Sequence, residues 1–232
     1  QKVNVTVQTE IPYGAFSGCT FIKEIKIPES VKEIGAYAFY NCNSIYKLNS
    51  EEEGVLNIPK AVTNIFDYSF YQCQSIEVVT MGNELTNIRA YAFYGCSSVV
   101  KFNTEKVNSL VVSNGCQTIG SCAFSVMKLI KEAYIPETVT EIGNSAFYGC
   151  NKLETITIPF VGMKQEVTNG STALFGYIFG GSDGVYQHYQ LSTGEDRTIK
   201  YSIPTTIQKV NVTVQTEIPY GAFSGCTFIK EI

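Results

Sequence analysis

The sequence predicts an α/β solenoid, strand-rich with short helical turns, running as a single domain over residues 1–232. Three observations carry that prediction. An Ala-Phe motif (Ser-Phe once) recurs at Phe16, Phe39, Phe70, Phe93, Phe124, Phe147 and Phe223, with gaps of 23, 31, 23, 31, 23 and 76 residues. Apolar residues keep fixed offsets around each Phe: Ile five before (Ile11, Ile34, Ile65, Ile88, Ile119, Ile142, Ile218), Cys three after, and Ile, Val or Leu six after. Residues 208–232 also repeat residues 1–25 letter for letter, so a 207-residue unit begins again in phase. Positions recurring every 23 residues are too far apart to share one helix or strand, and they indicate stacked coils.

Each coil opens with a strand. The pairs Ile25/Ile27, Leu56/Ile58, Val79/Met81, Leu110/Val112, Ala133/Ile135 and Ile156/Ile158 are apolar, and the residue between each pair points the other way. Pro28, Pro59, Pro136 and Pro159 end four of these strands. A second short extended piece follows, such as Val31 to Ile34 or Val139 to Ile142. One helical turn, for example Ala36 to Tyr40, then carries the Phe inward. Seven coils at about 4.8 Å each would make a rod of roughly 30 to 35 Å. The 31-residue intervals hold eight extra residues, around Asn49 to Val55 and Asn103 to Ser109, expected to protrude as loops on alternate coils. Residues 160–202 break the pattern. They are rich in Gly, Ser, Thr and Tyr but hold too many aromatics for a linker, so they read as an ordered irregular insertion packed on the solenoid. Val210, Val212 and Val214 restore a strand.

Hydrophobic residues make up 44% of the chain and charged ones 16%, the composition of an ordered globular protein. A net charge of −4 argues against nucleic acid and anionic membranes as partners. No apolar run reaches the roughly 18 residues that spanning needs, so no direct membrane insertion is expected. Six of the eight cysteines share one column of the repeat (Cys19, Cys42, Cys73, Cys96, Cys150, Cys226), with Met127 substituting once. Paired spacings of the C-x-x-C kind, which a metal site wants, do not occur. The reading is therefore a buried ladder of free thiols, with no metal and no cofactor. Cys116 replaces a Val (Val31, Val62, Val139) and reads as core. Cys122 replaces a Tyr (Tyr37, Tyr68, Tyr91) and is the expected accessible thiol.

The single histidine, His188, stands near Asp183, Glu195 and Asp196 in the insertion. Nothing motif-like sets a nucleophile beside it, so no catalytic residue is expected. Tyr40, Tyr71, Tyr94 and Tyr148 form a stripe that either covers the turn or offers flat faces to sugars or peptides. The better binding candidates are the outward positions of the first strand, because solenoids commonly receive partners on a concave face. The polar and aromatic members are Glu24, Lys26, Asn57, Thr80, Glu132, Tyr134, Thr155 and Thr157. Val55, Val78 and Val111 between them are either an apolar contact patch or positions shielded by the insertions.

The string Ile135-Pro136-Glu137-Thr138-Val139-Thr140-Glu141-Ile142-Gly143, followed by Ala146-Phe147-Tyr148-Gly149-Cys150, resembles the BspA-like leucine-rich repeat. The likeness covers residues 1–159 and 203–232. Gly35, Gly120 and Gly143 fit its Ile-Gly pair, while Phe66, Arg89 and Met127 depart from it. The resemblance implies a leucine-rich-repeat solenoid, a right-handed β/α superhelix. It further implies an extracellular or cell-surface scaffold for adhesion or protein binding, without catalysis. A structural stalk and a carbohydrate-binding accessory module are the alternatives. The expected partner is a protein of a host or neighbouring cell surface, or a glycan. The duplicated end leads to the expectation of a longer array, able to associate end to end.

Overall fold

The computed structural model describes residues 1–6 and 8–232. Among these, ten short parallel strands form a first sheet in chain order: Lys2–Asn4, Glu24–Lys26, Lys47–Leu48, Val55–Asn57, Val78–Thr80, Lys101–Phe102, Ser109–Val111, Glu132–Tyr134, Thr155–Ile158 and Lys209–Val212. Six two-residue strands form a second parallel sheet: Glu10–Ile11, Glu33–Ile34, Asn64–Ile65, Asn87–Ile88, Thr118–Ile119 and Glu141–Ile142. The registers link equivalent residues of successive coils, as in Leu56 with Val79 and Ile34 with Ile65. That is what a repeating apolar pattern requires, because a one-residue slip would turn every inward side chain outward. Of the twelve inward residues expected in the first strand, all but the partly buried Met81 are fully buried.

The segment expected to form one helical turn takes another conformation. Tyr37 and Asn41 both have left-handed backbone, with φ of 57° and 56°, and the same pair of positions is left-handed in the coils of Tyr68/Gln72, Tyr91/Gly95, Cys122/Val126 and Ser145/Gly149. Two left-handed residues within five cannot continue a right-handed helix. Hydrogen bonds alternate instead. Ala38, Tyr40 and Cys42 donate to Gly35, Tyr37 and Phe39 within the turn, whereas Tyr37, Phe39 and Asn41 donate to Asp67, Ser69 and Tyr71 of the next coil. The turns thereby make a third hydrogen-bonded wall. The Phe rings stack inside it, with centroids 5.1 Å apart for Phe39–Phe70 and 5.2 Å for Phe70–Phe93.

The eight-residue additions do more than protrude. Each inserts an extra strand into the first sheet (Lys47–Leu48 and Lys101–Phe102), carrying Leu48 and Phe102 fully into the core. Left-handed Asn49 and Gly54, and left-handed Asn103 and Asn108, bracket the two loops, and the Asn49 Oδ1 accepts the Ile27 backbone N–H at 2.8 Å. At each addition the first sheet advances two strand spacings, about 9.6 Å, while the Phe wall advances one. The first sheet is therefore the longer arc of the molecule, and the second sheet lies on the shorter one.

Residues 160–202 hold a further coil that lacks the Ala-Phe motif. The Ile142 N–H donates to Met163, Ser145 to Tyr177 and Phe147 to Ile178, so this segment supplies the acceptors that a repeat would. Two short 3-10 turns, Ser171–Ala173 and Phe175–Ile178, bring Phe175 against Phe223 at 4.9 Å. An antiparallel hairpin, Val185–Gln190 with Asp196–Tyr201, is appended to this coil. Buried Gln187 fastens it: its Oε1 accepts from Gly176 at 2.7 Å and its Nε2 donates to Ala222 at 2.7 Å.

Candidate functional site

The eight candidates all lie on the outer surface of the first sheet, but not on a concave side. Their sheet is the longer arc, because the two added strands splay it. Lys26, Thr80 and Tyr134 are exposed, and Glu24, Asn57, Glu132, Thr155 and Thr157 are half-buried. Neighbouring side chains order most of them. Lys26 Nζ meets Glu51 Oε1 at 2.7 Å, which raises the lysine pKa and lowers that of the glutamate. Asn57 Nδ2 donates to Asn49 O at 3.0 Å, and Thr80 Oγ1 donates to Asn57 Oδ1 at 2.7 Å. Lys106 pairs with Glu132, and Asn211 Nδ2 donates to Thr157 Oγ1 at 3.0 Å. Val55, Val78 and Val111 are half-buried between these rows, with the added strands beside them. Tyr134, 41% exposed, stands over a cleft of about 170 Å³ lined also by Lys106, Val111, Glu132, Thr155 and Thr157. Four of the eight candidates thus share one depression, and the other four continue the same face.

The cysteine column is a ladder of free thiols. Cys42, Cys73, Cys96 and Cys150 are buried, and each Sγ donates to the Phe carbonyl of the preceding coil, at 2.9 Å to Phe16, 3.2 Å to Phe39, 3.2 Å to Phe70 and 3.3 Å to Phe124. Burial pushes Cys96 and Cys150 up to about 12. Such protonated thiols are neither nucleophiles nor metal ligands. Cys116 is buried and Cys122 half-buried. His188 lies exposed on the hairpin, in a shallow cavity shared with Asp196, Arg197 and Thr198. Among the described residues no group of three or more His, Cys, Asp or Glu could hold a metal ion. No helix among the described residues is long and apolar enough to cross a membrane.

One feature escaped the sequence reading, and a second was read only at Cys122. On the second sheet Asn64, Asn87 and Thr118 form a polar ladder, with Asn87 Nδ2 donating to Asn64 Oδ1 and Thr118 Oγ1 to Asn87 Oδ1, both at 2.7 Å. The Asn-Ile and Thr-Ile repeats could have revealed it. The second is a break in the tyrosine stripe. Tyr40, Tyr71 and Tyr94 stack at 4.9 Å, as do Tyr37, Tyr68 and Tyr91 at 4.8 and 4.6 Å, but the next coil has Cys122 and Ser125 in their places.

A family model described as the BspA type leucine-rich repeat region matches the chain in six copies, over residues 2–105 and 100–171. No curated protein matches it. Among solved structures, a leucine-rich repeat protein from Bacteroides ovatus is 22% identical with a TM-score of 0.56, over 90% of this chain and 47% of that one. The chain thus spans about half the length of that protein. The T. pallidum leucine-rich repeat protein is 19% identical with a TM-score of 0.44, over 90% of this chain and 68% of that one. The pneumococcal vaccine antigen PcpA is 17% identical with a TM-score of 0.47, over 87% of this chain and 54% of that one.

Proposed function

The chain belongs to the BspA-type leucine-rich repeat family, and we propose that it is a non-catalytic binding scaffold of a bacterial cell surface whose first-sheet face holds a protein partner in adhesion. The observation that carries this reading is the ordered row of side chains on that face. Lys26, Asn57, Thr80, Glu132 and Thr157 are already engaged by neighbours, so little side-chain entropy remains to be lost on binding. Tyr134 supplies a half-exposed aromatic anchor at the edge of a cleft, the residue type that most often dominates binding energy. The surface location is what the family resemblance implies.

Immobilised host-surface and matrix proteins, probed with the purified chain by surface plasmon resonance, test the proposal. Against any binder, Tyr134→Ala should weaken affinity by at least about tenfold with the melting temperature unchanged. Thr80→Ala and Asn57→Ala should each weaken it less. Equal binding by all three variants discards this face.

A further inference from the structure

The break in the tyrosine stripe borders a built cavity. Tyr94 and Tyr148 belong to the same column two coils apart, and Ser125, between them, is fully buried and donates its hydroxyl to Ser145 O at 2.6 Å. That rung is closed over, but the neighbouring column of Tyr37, Tyr68 and Tyr91 continues with Cys122 and Ser145 in place of two tyrosines. Beside these two residues lies a slot of about 320 Å³, lined also by Tyr91, Tyr94, Tyr148 and Asp183. One rim is the Gly180–Gly184 loop, which the left-handed glycines Gly180 and Gly181 fold back on Ser145 and Tyr148. Ser202 pins it, its N–H donating to Gly180 O at 2.7 Å and its hydroxyl to Asp183 O at 2.8 Å.

We propose that this slot binds a single pyranose ring of a saccharide. The Tyr94 and Tyr148 rings provide flat walls for the C–H face of a sugar, and the Ser145, Ser182 and Asp183 side chains provide acceptors and donors for its hydroxyls. The site lies on the turn wall, away from the first-sheet face, and stands whether or not that face binds protein. It also carries its own reporter, because Cys122 lines the slot and is half-buried, whereas the column thiols of the middle coils are buried.

The test is alkylation of the native chain by iodoacetamide, with mass-spectrometric readout of Cys122 and of half-buried Cys19 as internal control. Methyl glycosides of common hexoses and N-acetylhexosamines at millimolar concentration are the probes. At least one should slow Cys122 labelling several-fold and leave Cys19 unaffected. Ser145→Tyr, which refills the neighbouring column, should abolish that protection, and Asp183→Ala should weaken the protecting glycoside about tenfold. Both variants should keep the native circular dichroism. No protection by any glycoside overturns the assignment, and so does protection by N-acetyltyrosine amide alone. Glycoside protection that survives Ser145→Tyr places the sugar elsewhere and also overturns it.

Discussion

At the residue scale, backbone handedness and burial decide the turn wall. Val126 holds φ of 63° at a position where other coils place Gly95, Gly149 or Asn41. A β-branched residue in this region carries roughly 1–2 kcal/mol of strain. Val126→Gly should therefore stabilise the chain by about 1 kcal/mol, after the backbone entropy that glycine loses on folding. In a chain of this length that is a rise of roughly 2–4 °C in melting temperature; a fall would mean that the valine side-chain contacts outweigh the strain. The buried thiols make a second prediction. Burial lifts Cys96, Cys116 and Cys150 from the ordinary 9.0 to about 12, so between these values the folded chain keeps protons that the unfolded chain releases. The sign follows from linkage: their contribution is complete below pH 9.0 and is lost as pH rises toward 12. Thermal denaturation from pH 8 upward should show melting temperature falling with pH, and the fall should be shallower in Cys96→Ala. The thiol column was legible because Cys recurs at a fixed offset from Phe. The left-handed Tyr37, Tyr68 and Tyr91 were not, because tyrosine has no intrinsic preference for that region and only the inter-coil hydrogen bonds impose it.

At the scale of elements, alternation was enough to find both sheets, since inward residues must be apolar at every second position. It did not find the two added strands. Lys47–Leu48 and Lys101–Phe102 contribute one inward residue each, too little for a period to be recognised, and tertiary pairing defines them. Phe102 shows what they do. It lies edge-on to both Phe93 and Phe124, at 5.0 and 5.2 Å, and the stack between those two rings opens to 6.2 Å. Met127, in the same coil, replaces the thiol that elsewhere donates to the preceding Phe carbonyl. Phe102→Ala should leave a cavity and cost about 3–5 kcal/mol. Phe102→Leu copies Leu48 of the other addition and should cost less than about 1.5 kcal/mol. Urea unfolding of both variants checks the ranking. Equal midpoints would mean that the ring does not hold the coils apart.

On the scale of the whole molecule, neighbours distinguish what sequence cannot. Ile11 and Ile218 sit in identical 25-residue strings, yet Ile11 is 1% exposed in a strand paired with Glu33–Ile34, and Ile218 is 46% exposed. Cys19 is half-buried, whereas Cys226 is covered by the hairpin, with Gln187 Nε2 3.6 Å from its Sγ. The coil within residues 160–202 was invisible for the same reason, because its wall positions are defined by hydrogen bonds from Ile142, Ser145 and Phe147 and by no motif of its own. Curvature is likewise a property of the assembly. The first sheet spends eight strands between Lys2–Asn4 and Glu132–Tyr134, while the second spends six between Glu10–Ile11 and Glu141–Ile142. At about 4.8 Å per strand the two arcs differ by roughly 10 Å, and the molecule must bend toward the second sheet. Excising residues 48–55 and 102–109 joins Lys47 to Leu56 and Lys101 to Leu110, preserves the alternation, and sets every gap from Phe16 to Phe147 at 23 residues. The excised chain should fold with both sheets equal in strand number and with the bend removed, which small-angle X-ray scattering would read as a straighter particle. A bend that persists would place its origin in the turn wall, where the Phe rings set the spacing.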